Sequence, residues 1–362
     1  MLFQRKNRPI QTGTLGLFIW RISGFLMAFS MTSTGFAKEV RYKEMPIDIK
    51  AGDHLIISCF HCVVHLTQTP QGQAPTLKAR KFTSDKASNE ENAKLDTLSF
   101  TVKHEGTAVV IESKPPDSKV GWLALLKSPG PTLEFDLNAQ AVPVEVLDRE
   151  GQVTLQSWNQ PASISMVTGS IHTSGTEGAL KLQLQRGDIR LEKHRGQAEV
   201  DSYGAKLVIQ EMEGDLDLTN FGGESALTGV HGHVGVQIHA GSLGLNKSSG
   251  SLEFLNGRGG LNIQGFDGPI HGQTDQGTVV AVIEGETEVN IESNQGPVTV
   301  HLPSKSGASV HLESEEGLLA APEPIRIVNA ASRRTANGRL AGTGPKGTVA
   351  VKSKSGAIRV RF

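Results

Sequence analysis

Two cysteines, three tryptophans and two tyrosines are all that the 362 residues hold of those types, and aromatics make up 5% of the chain. So little aromatic bulk argues against a compact enzyme core and against a sugar-binding cleft paved with tryptophan. Charge of one sign is lacking too, because 36 basic residues face 37 acidic ones. A near-neutral chain offers no global attraction to nucleic acid. Hairpin signals are scarce, with Asn-Gly only at Asn256-Gly257 and Asn337-Gly338. No glycine-rich phosphate loop is credible, because the glycines pace strands and open no helix. Past the N-terminus no apolar run is long enough to span a bilayer.

The N-terminus itself reads as a targeting segment. Arg5, Lys6 and Arg8 precede an apolar stretch, Leu15 to Met31, interrupted by Arg21, and Thr32 to Ala37 supplies small residues for cleavage. Basic region, short apolar region and small-x-small site together make a secretory signal over 1–37. With those basic residues removed, the remainder is mildly acidic. The chain is therefore expected to be exported, to the periplasm or the cell surface. An uncleaved N-terminal anchor is the competing reading.

Glycine is what the sequence has in abundance, 41 residues of it. From Gly178 the glycines fall at 187, 196, 204, 214, 222, 232, 241, 250, 259, 268, 277 and 285, about nine apart. Between them the text alternates, as in Asp215-Leu216-Asp217-Leu218-Thr219 and Glu288-Val289-Asn290-Ile291-Glu292. Apolar residues at every second position put one face of a strand inward. One short strand cannot bury its own face and has to stack on neighbours. The spacing predicts an all-β chain: a parallel β-solenoid, like a β-helix, with two strands of about nine residues per rung. An antiparallel sandwich or barrel is the alternative. An outer-membrane barrel fits poorly despite the terminal Phe362, because these strands are short and carry charge outward.

The same pattern divides the chain. Residues 38–150 read as an N-terminal β-repeat portion with a polar insert at 67–97, and 151–318 as the regular glycine-paced solenoid. Residues 319–346 read as a loop excursion, and 347–362 as closing strands. No separate catalytic domain is visible.

Cys59-Phe60-His61-Cys62, followed by Val63-Val64-His65, is the sharpest local feature. It suits a structural disulfide between Cys59 and Cys62 at a turn, which an exported compartment permits. A soft-metal site or a thiol redox pair are the other readings. The flanks Leu55-Ile56-Ile57 and Val63-Val64 read as strand, whereas a redox pair normally opens a helix. His231, His233 and His239 form a second cluster, with metal or pH sensing set against ordinary solvated histidines. The acid pairs Asp215/Asp217 and Glu286/Glu288 would serve a glycosidase, but outward acids are common in such a repeat.

Several passages carry a family resemblance. They are Val167-Thr168-Gly169-Ser170-Ile171, Ser248-Ser249-Gly250-Ser251-Leu252, His301-Leu302-Pro303-Ser304-Lys305-Ser306-Gly307-Ala308 and Lys354-Ser355-Gly356-Ala357-Ile358. Over most of residues 40–362 this cadence resembles the bacterial putative-adhesin, or toast-rack, family of β-strand repeats. The resemblance implies a non-catalytic envelope scaffold or adhesin-like binding surface and brings no catalytic residues with it. No catalytic, cofactor or metal residue is assigned. The expected partner is an envelope protein or a glycan, not nucleic acid. A carbohydrate-active β-helix enzyme, or a metal or redox module at Cys59 and Cys62, is the alternative function.

Overall fold

Alternation of apolar and polar residues becomes strand wherever the chain is described. The computed structural model describes residues 38–69, 73–83, 95, 98–114, 132–286, 288–330 and 332–362; the signal expected over 1–37 lies outside them. Among the described residues there are twenty-five strands and no helix, so the chain is all-β. No helix among them is long and apolar enough to cross a membrane.

The regular part consists of two parallel ladders. In the A ladder, Val144, Ala162, Leu180, Ala198, Leu216, Val234, Leu252 and Ile270 stand in register on successive strands. In the B ladder, Val153, Ile171, Ile189, Leu207, Ser225 and Leu243 do the same. Each step is 18 residues, as cross-strand side-chain bonds such as Lys181–Glu199 also record. The inward residues are Leu and Ile with their kin: Leu182, Leu191, Val200, Ile209 and Leu252 are fully buried.

The nine-residue cadence comes from two alternating corner columns. One carries Gly178, Gly196, Gly214, Gly232, Gly250 and Gly268; the other carries Gly223, Gly241, Gly259, Gly277 and Gly296. Gly250 shows why. Its φ is +120°, and a Cβ there would overlap the carbonyl oxygen of Gly232 one level below. Backbone approaches backbone at the corner, and only hydrogen fits between. Strands run through some corners unbroken. Leu180–Arg195 has 16 residues and Ser242–Asn256 has 15, each serving both ladders, so about nine residues describes the step and not every strand. Inward polar residues hold the other turns, with Ser202 Oγ donating to the Ala205 carbonyl at 3.2 Å and Thr274 Oγ1 to that of Gly277 at 2.6 Å.

Both ends depart from sequence order. Near the N-terminus, His54–Gln68 lies between Val144–Gln156 on one side and Ala108–Lys114 with Thr132–Ala139 on the other. Antiparallel strands then finish each ladder: Ser99–Glu105 on Ala108–Lys114, and Thr76–Thr83 followed by Lys38–Pro46 on Thr132–Ala139. At the C-terminus, Thr348–Ser353 lies between Glu288–Ser293 and Ser309–Ser314, while Ile358–Arg361 lies between Val298–His301 and Leu319–Ala320. An antiparallel hairpin, Ile327–Ala330 with Arg333–Arg339, covers Ser309–Ser314.

Three segments thus differ from the sequence expectation. The polar text at 67–97 contains the strand Thr76–Thr83, whose Leu77 and Ala79 are buried; Lys78, Arg80 and Lys81 mask the alternation. Its charged stretch, 84–94, lies outside the described residues. The excursion at 319–346 contains the capping hairpin, where Ala336 is buried and the other side chains are polar or exposed. The strands of 347–362 do not end the ladders but fill the level before the last.

Candidate functional site

The strand His54–Gln68 crosses from one ladder to the other at residues 59–62. There Cys59 and Cys62 are joined in a disulfide with their Cα atoms 5.9 Å apart. Cys62 is fully buried and Cys59 partly so. Register sets Asp148 opposite Cys59, Glu150 opposite His61 and Gly151 opposite Cys62. A side chain at Gly151 would overlap the Cys62 carbonyl, so this corner also demands glycine.

Asp148 is the residue of this corner that no sequence motif marks. It is 5% exposed, its Oδ2 is buried without a hydrogen-bond partner, and its Oδ1 accepts the Glu150 N–H at 3.3 Å. Burial pushes its carboxyl up to about 7; nearby backbone N–H groups pull the other way and the Glu150 carboxylate adds to the rise. Burial likewise holds the His61 imidazole below its ordinary value, against the Glu150 carboxylate 4.0 Å away. His65 points elsewhere, 3.8 Å from Glu134, which also pairs with Arg80. His61 and His65 therefore do not converge on the sulfurs. Among the described residues no three His, Cys, Asp or Glu side chains are grouped to hold a metal ion.

The His231, His233, His239 cluster separates in space. Gly232, at φ +146°, turns the chain between the first two. His231 Nδ1 meets Ser249 Oγ at 2.7 Å, and His233 Nδ1 meets Ser251 Oγ at 2.8 Å, each on the next level. His239 does something else. Its ring lies on Phe221, centroids 4.5 Å apart and 4° from parallel, and Phe221 lies on Tyr203 at 4.5 Å and 1°. Tyr203 and Phe221 are 48% and 39% exposed, so this is an aromatic stack on the surface. Tyr203, Phe221 and His239 stand 18 residues apart. That common interval was the available signal.

Beside the stack runs a groove on the outward face of the A ladder. One column presents Asp217, Gly235, Glu253, His271 and Asn290 in register. The next presents Thr219, Gln237, Leu255, Gln273 and Glu292. These line a depression of about 550 Å³, deepened where Gly235 has no side chain and Asp217 leans across. A second depression of about 610 Å³ shares Gln237, Leu255, Gln273 and Glu292 with it and extends to His239, Gly257, Asp275 and Asn294. Asp217, Glu253 and Glu292 are all exposed. Of the other acids considered, Asp215 Oδ1 accepts the His233 N–H at 3.2 Å, and Glu286 and Glu288 are exposed and away from the groove. Trp158 is core: fully buried, its Nε1–H donates to the Val142 carbonyl at 3.1 Å.

No family profile and no curated protein matches the chain. Solved structures do. One from Clostridium sporogenes, named a putative cell adhesion protein, is 12% identical over 90% of this chain and 99% of its own, with a TM-score of 0.20. A putative adhesin from Parabacteroides distasonis is 9% identical over 89% and 96%, with a TM-score of 0.31. A putative lipid binding protein from the same organism is 11% identical over 89% and 97%, with a TM-score of 0.28.

Proposed function

We propose that this chain is an exported, non-catalytic β-solenoid whose outward A face binds an envelope partner, a glycan or a protein. The continuous groove from Asp217 to Asn294 carries this reading. Hydrogen-bonding side chains repeat there at the ladder step on a rigid backbone, which lowers the ordering cost of binding. The export signal in 1–37 supports an address outside the inner membrane. Against an enzyme reading, the groove acids lie open to water on one face, with no closed cleft to exclude it.

A second reading places thiol–disulfide chemistry at Cys59 and Cys62. The buried Asp148 carboxyl opposite Cys59 favours it over metal binding, since a disulfide offers no thiolate to a metal. The test of the first reading is retention of the envelope polysaccharide and protein fractions by immobilised residues 38–362. Gly235→Arg, which fills the groove from a site whose one close neighbour is the flexible Asp217 carboxylate, is expected to weaken retention at least tenfold. Cys59→Ser/Cys62→Ser is expected to leave it unchanged. Loss with the cysteine variant alone would favour the second reading, and no retention by the natural chain would overturn the first.

A further inference from the structure

The aromatic stack stops one level short of where the column continues. Tyr203, Phe221 and His239 occupy three successive levels at the corner beyond the A ladder, where backbone N–H groups of Phe221 and His239 bond the Ser202 and Asn220 carbonyls. The next corner residue is Gly257, followed by Asp275 and Asn294. His239 therefore has one face on Phe221 and the other toward Gly257, which has no side chain. On the far side Asn294 Nδ2 donates to Asp275 Oδ1 at 2.8 Å, which fixes a polar wall. From His239 to Asp275 is two ladder steps of about 4.8 Å each. The rings of the stack are 4.5 Å apart, so the space admits one further ring. The depression of about 610 Å³ is this space together with its opening along Leu255.

We propose that the bare level at Gly257 is a binding subsite for one pyranose ring of an uncharged polysaccharide. The ring stacks its C–H face on His239, and its neighbours run along Leu255 and Gln273. This rests on the reading of the A face as a binding surface and names its ligand class. Three observations select a sugar. A sugar has an apolar face to set on an exposed imidazole and on Leu255, which is 51% exposed. It also has hydroxyls for the carboxylate and amide groups of Asp275, Asn294, Gln273 and Gln237, which an aromatic peptide side chain would desolvate without pairing. Among the residues lining this space the carboxylates of Asp275 and Glu292 outnumber the cation Lys354, with exposed Arg258 beside Gly257, so an uncharged glycan fits better than a strongly acidic one.

The experiment uses residues 38–362 labelled at histidine, with soluble cello-, chito- and malto-hexaose titrated to millimolar concentration. At least one hexasaccharide is expected to shift the His239 ring signals and leave those of His194, which is buried, in place. Gly257→Phe, which would add the missing ring, and His239→Ala are each expected to weaken that binding at least tenfold. The natural thermal midpoint, retained in both variants, would exclude loss through misfolding. If no hexasaccharide shifts His239, or if Gly257→Phe binds as well as the natural chain, the proposal falls. A His239 shift produced by N-acetyltryptophanamide and by no saccharide would assign the level to an aromatic side chain and overturn it as well. Retention of envelope material that Gly235→Arg abolishes and Gly257→Phe does not would leave the binding face standing and remove only this subsite.

Discussion

The middle of the chain and its two ends solve the same problem differently. From Ala162 to Val282 each strand rests on the one 18 residues before it, and every level repeats the last. A ladder built so has two open edges, whose unpaired N–H and C=O groups invite fraying or pairing with another chain. Here antiparallel strands cover both N-terminal edges and the Ser309–Ser314 edge at the other end, and the segment next inward is threaded between two others: His54–Gln68 at one end, Thr348–Ser353 with Ile358–Arg361 at the other. The middle gains a uniform outward face from its repetition. The ends give up repetition and gain closure.

Five changes would break or sharpen that contrast. The largest effect is expected from deleting 347–362. Because its strands are held on both sides, removal should expose two ladder edges. Hydrogen exchange by mass spectrometry would then show protection lost over 288–320, while 198–274 stays protected. Protection lost only at the new C-terminus would mean that these strands do not lie between their neighbours. Gly250→Ala comes next. It puts a methyl against the Gly232 carbonyl at a φ of +120°, and about 3 kcal/mol or more of stability should go. Gly260→Ala, with nothing near the added carbon, should stay within about 1 kcal/mol in the same urea unfolding series.

Asp148→Asn tests the threaded N-terminal corner, and its sign depends on pH. The folded carboxyl titrates near 7 and the unfolded one near 3.8, so folding forces the acid to stay protonated as pH rises between the two. The cost is absent below about 4 and complete above about 7. The variant should therefore be more stable than the natural chain by roughly 2–4 kcal/mol at pH 8, with the gain vanishing near pH 4. A gain independent of pH would rule out this account of Asp148. His194 gives the smallest and opposite effect. Burial keeps it below its ordinary value, beside Thr176 Oγ1 at 2.9 Å, so the unfolded chain takes the proton first. Stability should fall as pH drops below about 6.5, and His194→Gln should flatten that slope in thermal melts measured from pH 7.5 to 5.

How much was legible follows from what repeats. Strand, turn and parallel stacking could be read because each level states the same inside–outside pattern, and because corner glycines in two alternating columns mark every nine residues. The threaded ends could not. The step onto Thr348 joins residues 60 apart, Glu288 to Thr348, and nothing local in Gly347-Thr348-Val349-Ala350-Val351 distinguishes an inner level from a last one. Cys59 and Cys62 stood out in the text, but Asp148 did not, since an Asp in an alternating strand reads as outward until register sets it against the corner. Tyr203, Phe221 and His239 are each unremarkable alone. Only the 18-residue interval joins them, and glycine pacing drew attention to nine.

The central claim is that the repeating levels bind and the ends only close them. Hydrogen exchange of residues 38–362, with and without the envelope fraction that they retain, tests it most directly. The account predicts added protection confined to the A-face strands between Leu216 and Thr274 and to the adjoining corner at 239, 257 and 275. Protection centred on the capping hairpin at 327–339 or on the Cys59–Cys62 corner, with the groove unchanged, would contradict it.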